Sequence, residues 1–116
     1  MLCRARMRQG LCRDWGALDL PNSGLQRLPP GACFCLPHLQ ELLLEGNQMD
    51  WLEGQVFQGL RRLERLDLSN NPLVTLGEAW LAHLPELTTL NLLNTSIMLS
   101  PTWDFWGPEN LHDLRL

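Results

Sequence analysis

A leucine spacing of 24 residues, kept without insertion to the last residue, constrains this chain more than any other feature. The stretch LQELLLEGN, starting at Leu39, is one copy of the pattern L-x-x-L-x-L-x-x-N. Its leading leucine recurs as Leu39, Leu63, Leu87 and Leu111. The second recurs as Leu18, Leu42, Leu66, Leu90 and Leu114, and the third as Leu20, Leu44, Leu68, Leu92 and Leu116. A period of this length is the mark of stacked structural repeats. In a strand, the leucines of L-x-L share one face and the residue between them points the other way. A single such strand cannot bury its leucines, whereas stacked copies can, each leucine resting on its equivalent in the next unit. At roughly 1.5–3 kcal/mol per buried leucine, this spine supplies much of the folding energy.

Each strand is joined to the next by a crossover too long for a hairpin, so the strands must run parallel. The crossovers hold phase too. Leu25, Met49, Leu73 and Ile97 form one apolar row, and Leu28, Leu52 and Leu76 form another that Ser100 breaks. Cys33, Phe57, Leu81 and Phe105 form a third, and Leu36, Leu60 and Leu84 a fourth that Pro108 breaks. The asparagine position reads Ser23, Asn47, Asn71, Thr95. Side chains of this kind hydrogen-bond nearby backbone at turns, and the column is predicted to be weaker at both ends, where asparagine is absent.

The repeat from Leu39 to Arg62 resembles the 24-residue "typical" leucine-rich repeat, with Met49 in a leucine slot; the next repeat fits with Leu81 in the phenylalanine slot. The resemblance covers residues 15–116. It implies an α/β fold, a right-handed, curved solenoid with a short parallel β-sheet on its concave face. It also implies a relation to the class common in Toll-like receptors and small leucine-rich proteoglycans. The organisation expected is an N-terminal flank or partial cap at 1–14, then repeats at 15–38, 39–62, 63–86 and 87–110 and a partial repeat at 111–116. A final strand open at its edge invites unwanted pairing, so a fragment of a longer repeat protein is expected.

Charge narrows the partners. All nine basic residues are arginine, and four of them (Arg4, Arg6, Arg8, Arg13) fall in the first thirteen positions, which hold no acid. The remaining chain carries five arginines against thirteen acids, a net −8. Such a body is a poor candidate for duplex DNA or an anionic membrane surface. No apolar run is long enough for a membrane span, so direct membrane insertion is not expected of this segment.

Candidate chemistry is sparse. Cys33 lies in the phenylalanine column, where a small buried hydrophobe fits, and Cys33-x-Cys35 lacks zinc-knuckle spacing. Cys3 and Cys12 lie outside the repeats and could form one cap disulfide in an oxidising compartment; free thiols are the alternative. His38, His83 and His112 occupy different phases of the repeat, and no nucleophile-elbow, metalloprotease or phosphate-loop pattern occurs. Neither an active site nor a cofactor is expected. Asn94-Thr95-Ser96 is a glycosylation sequon. Trp103 and Trp106 could anchor a partner or pad an irregular repeat.

The strand residues off the leucine face stack into columns. One is Ala17, Glu41, Arg65, Thr89, Asp113; the central one is Asp19, Leu43, Asp67, Asn91, Arg115; a third is Pro21, Glu45, Ser69, Leu93. Their character varies while the leucines do not, as expected if the columns serve a partner. With strands about 4.8 Å apart, the face spans roughly 20 Å. Asp19, Glu41, Leu43, Glu45, Arg65, Asp67, Asn91 and Leu93 are its candidate ligand-binding residues. Acids around Leu43 suit a protein ligand with basic residues about an apolar contact. The function expected is protein recognition within a receptor ectodomain or secreted protein, extracellular or at the cell surface. The alternatives are a cytoplasmic scaffold or signalling adaptor, and a substrate-selecting segment of a larger enzyme.

Overall fold

The computed structural model describes residues 16–27, 36–52, 54–76, 80–97 and 109–116. In chain order the strands are β1 (Ala17–Asp19), β2 (Glu41–Leu43), β3 (Trp51–Leu52), β4 (Arg65–Asp67), β5 (Thr75–Leu76), β6 (Thr89–Asn91) and β7 (Asp113–Arg115). A five-stranded parallel sheet runs β1-β2-β4-β6-β7, and β3 pairs with β5 in a second, two-stranded parallel sheet. The expected solenoid is therefore present.

The register is set by the period. Leu18 pairs with Leu42, Leu42 with Leu66, Leu66 with Leu90 and Leu90 with Leu114. The backbone clamps each strand where it enters the sheet. The carbonyl of Gly16 accepts the amides of Gln40 and Glu41; those of Gln40, Glu64 and Thr88 do the same for Glu64 and Arg65, Thr88 and Thr89, and His112 and Asp113. A slip of one residue would turn every leucine to the wrong face.

Both halves of the repeat contribute to the core. Leu42, Leu44, Leu66, Leu68 and Leu90 are fully buried, as are Met49, Phe57, Leu60, Leu73 and Leu84 from the crossovers. Two described crossovers close with 3-10 turns, Gly54–Phe57 and Trp80–His83. Four residues are too few to repay the nucleation of an α-helix, and the tighter turn returns the chain to the sheet. Val56 and Trp80 occupy equivalent positions in these turns; both are buried, and the Trp80 ring meets Phe57 at 5.9 Å, tilted by 50°. Its other members are Ala32 and Asp104, so the column is apolar in three of four repeats but lacks the uniform size of the leucine rows. At the last strand burial falls away, Leu114 being 36% and Leu116 54% exposed.

The asparagines close the turns. Asn47 Oδ1 accepts the amides of Ser23 (2.9 Å) and Leu25 (3.1 Å), one repeat back. Its Nδ2 donates to the carbonyls of Leu20 (3.0 Å) and Leu44 (2.9 Å). Asn71 Oδ1 accepts the Met49 amide at 3.2 Å, and its Nδ2 donates to Leu44, Leu68 and Ser69 carbonyls at 3.0–3.1 Å. At the ends of the column the bonds are local. Ser23 Oγ reaches Pro21 O, and Thr95 Oγ1 reaches Leu92 O at 2.8 Å.

The position just before each of these residues is left-handed. Asn22, Gly46, Asn70 and Asn94 have φ of 52°, 70°, 57° and 56°. Asparagine and glycine are the residues that tolerate this conformation. At Gly46 a side chain would also collide with the Asn22 amide, which leans over it.

Two measurements test this account. Urea unfolding of Leu66→Ala should show a loss of about 3 kcal/mol, the usual cost of a buried leucine cavity. Asn71→Leu should destabilise by about 3 kcal/mol, because several buried backbone groups lose their partner together; Ser23→Ala should change stability by about 0.5 kcal/mol or less.

Candidate binding face

The columns form as the period requires. Ala17, Glu41, Arg65, Thr89 and Asp113 stand in register across the five strands, and so do Asp19, Leu43, Asp67, Asn91 and Arg115. The third column lies just beyond the strands, in the turns that hold Pro21, Glu45, Ser69 and Leu93. Asp19 and Arg65 are exposed, Glu41, Leu43, Glu45 and Asn91 are half-buried, and Leu93 is 43% exposed.

Asp67 departs from the expectation of an available acid. It is only 9% exposed. Its Oδ1 accepts both the Ser69 amide (2.9 Å) and the Ser69 hydroxyl (2.6 Å), and its Oδ2 faces the Asn91 amide at 3.4 Å. Asn91 repeats the device one unit on, with Oδ1 accepting the Leu93 amide at 3.0 Å. These two central polar residues hold the chain as it leaves the strand, the local side-chain-to-backbone bonding typical of Asp and Asn. Sequence alone could not tell this use from solvation or recognition, because all three favour the same residue types.

The flanking charges are less committed. Glu41 and Arg65 are neighbours in register. Among the described residues, however, the one ion pair joins Arg115 to Asp113, at 3.4 Å on an exposed surface where such pairs contribute little. Among the described residues, Glu41, Glu45 and Arg65 thus form no ion pair, and they stand about the half-buried Leu43.

Asn94 is exposed in the turn after β6, its Nδ2 donating to Asn70 Oδ1 at 2.9 Å. Cys3 and Cys12, the candidate disulfide, lie outside the described residues, as do Cys33, Cys35, Trp103, Trp106 and the flank at 1–14. The described residues contain no cluster of His, Cys, Asp or Glu suited to a metal ion. Trp51, in β3, and Val74, just before β5, are exposed apolar residues (41% and 58%) with no signal in the repeat pattern, Arg27 and Asp50 being their equivalents one repeat earlier.

Comparison with known proteins agrees with this architecture. The family model described as "Leucine rich repeat" matches residues 49–97. Toll-like receptor 12 of Mus musculus is 58% identical, over 90% of this chain and 17% of its own length. Tsukushi of Rattus norvegicus is 44% identical, over 60% of this chain and 20% of its own. Transforming growth factor beta activator LRRC32 of Mus musculus is 34% identical, over 82% of this chain and 17% of its own. The chain spans about a fifth or less of the length of these curated relatives.

The two roles on the face separate by mutation. Asp67→Ala should lower stability by about 1–2 kcal/mol through the lost bonds to Ser69, whereas Glu41→Ala should stay within about 0.5 kcal/mol. Paired denaturant titrations measure both.

Proposed function

The chain belongs to the leucine-rich repeat family, and from that premise we propose that its five-stranded face binds a protein ligand outside the cell. The observation that carries the reading is the group Glu41, Leu43, Glu45 and Arg65. The leucine ladder fixes their backbone positions, and no ion pair among the described residues uses their charges. The strand backbone is already ordered and loses little further entropy on binding.

The charge of the group selects the partner's chemistry. Two carboxylates flank a half-exposed leucine, so a complementary surface carries basic residues around an apolar contact. Asp19 extends the acid toward β1. Arg65 gives the group one opposite charge, which would discriminate among basic partners through a required acid. Asp67 and Asn91 serve as the floor of the face. An extracellular or cell-surface setting is supported by relatives that include a receptor and a growth-factor activator. Protein recognition without catalysis fits a site whose described residues present charge and apolar surface.

An array of secreted and ectodomain proteins, probed with the tagged chain, tests the proposal. Ligands retained by the wild type should be basic, bind less at high salt, and lose about tenfold in affinity, roughly 1.4 kcal/mol, against the Glu41→Arg, Glu45→Arg double variant. Ligands held equally by the double variant would sink the assignment of this face.

A further inference from the structure

We propose that Asn94 carries an N-linked oligosaccharide, which sets one boundary of the binding face. The inference rests on the extracellular reading above, because the transfer belongs to secreted and surface proteins.

Asn94-Thr95-Ser96 is the one N-x-[ST] sequence in the chain. A sequon this short is weak by itself, and in this fold one residue decides whether it can be used. The asparagine position of the repeat points inward: Asn47 is 4% and Asn71 2% exposed, each bonded on both sides of its amide. The position before it points outward in the left-handed turn. The sequon's asparagine occupies the outward position, with φ 56°, and is exposed. The inward position beside it is Thr95, whose hydroxyl donates to the Leu92 carbonyl at 2.8 Å. The fold thus uses the hydroxyl that the sequon does not need. Ser96, whose hydroxyl the sequon does need, is exposed, and its backbone is held by the Leu73 carbonyl at 2.8 Å.

The chemistry leaves the local structure intact. The co-reactant is an oligosaccharide esterified through its anomeric carbon to a polyprenyl pyrophosphate. Asn94 Nδ2 forms a bond to that carbon; the carbon–oxygen bond to pyrophosphate breaks, and the polyprenyl pyrophosphate leaves with the electron pair. One Nδ2 proton is lost to the transferring enzyme. The second N–H remains on nitrogen, with Asn70 Oδ1 as its acceptor at 2.9 Å.

The position matters for recognition. Asn94 adjoins Leu93, the exposed apolar residue at the β6 end of the face. An oligosaccharide there screens Leu93. The Glu41–Leu43–Glu45 group lies on β2 and its turn, two strands away in the sheet order β2-β4-β6, about 10 Å at the usual strand spacing. The modification therefore confines a protein partner to the β1–β4 side, where the uncommitted charges are.

The test places the full chain behind a secretion leader in animal cells, so that the compartment is supplied. The secreted wild type should run as a heavier species that collapses on treatment with peptide N-glycosidase, with residue 94 converted to aspartate in the peptide mass. Asn94→Gln and Ser96→Ala should each abolish the heavier species, and Thr95→Ala should keep it. A wild type secreted in folded form, by circular dichroism, yet unmodified at Asn94 would overturn the proposal, as would a Ser96→Ala chain still modified there. If the leader-directed chain is modified and the endogenous chain is not, the acceptor stands and the extracellular reading fails.

Discussion

The whole structure depends on turns that can be buried. A coil wound around a dry axis must change direction twice in every unit, and the amides and carbonyls of those turns cannot all reach water. Unpaired, each would cost a sizeable fraction of the stability of a small domain. Asn47 and Asn71 remove the problem by presenting donor and acceptor from one short side chain to backbone both in their own repeat and one repeat back. Leucine burial supplies the driving force, but the asparagines let one unit sit on another at a fixed height. Their bonds across 22 to 27 residues make neighbouring repeats mutually dependent.

Register and surface follow from the same constraint. Because each strand can pair in only one phase, the residues between the leucines are carried into straight columns whatever their identity. That freedom lets recognition vary while the scaffold stays constant, the usual division between a fold and the site set on it. The division is not complete here. The central column uses Asp67 and Asn91 to hold the strand exits, so two of its polar side chains serve the scaffold as well as standing on the face.

The left-handed turn adds a second outward column beside the inward one. Asn22, Gly46, Asn70 and Asn94 share a backbone conformation, and the hydrogen bond from the Asn94 side chain to that of Asn70 shows that neighbouring members can reach each other. Adjacent sequence positions thus meet opposite environments. Asn71 is buried within the stack while Asn70 stands in solvent; composition does not separate the two, and only the phase of the repeat, which puts Asn71 in the asparagine position, does.

Sequence by itself determined the period, the parallel sheet, the burial of Leu42, Leu66 and Leu90 and the membership of each column, because a strict 24-residue phase admits one stacking solution. It also located the asparagine turns and their weaker ends. Tertiary structure alone decided the rest. Val56 and Trp80 enter the core because the 3-10 turns direct them there, although their column varies from alanine to tryptophan and ends in Asp104. Asp67 is withdrawn from the face because Ser69 lies within reach of its carboxylate, a matter of distances that a one-dimensional pattern does not contain. The outward turn of Asn94 was set in the same way, by the sign of one backbone angle and the neighbour it faces across the stack.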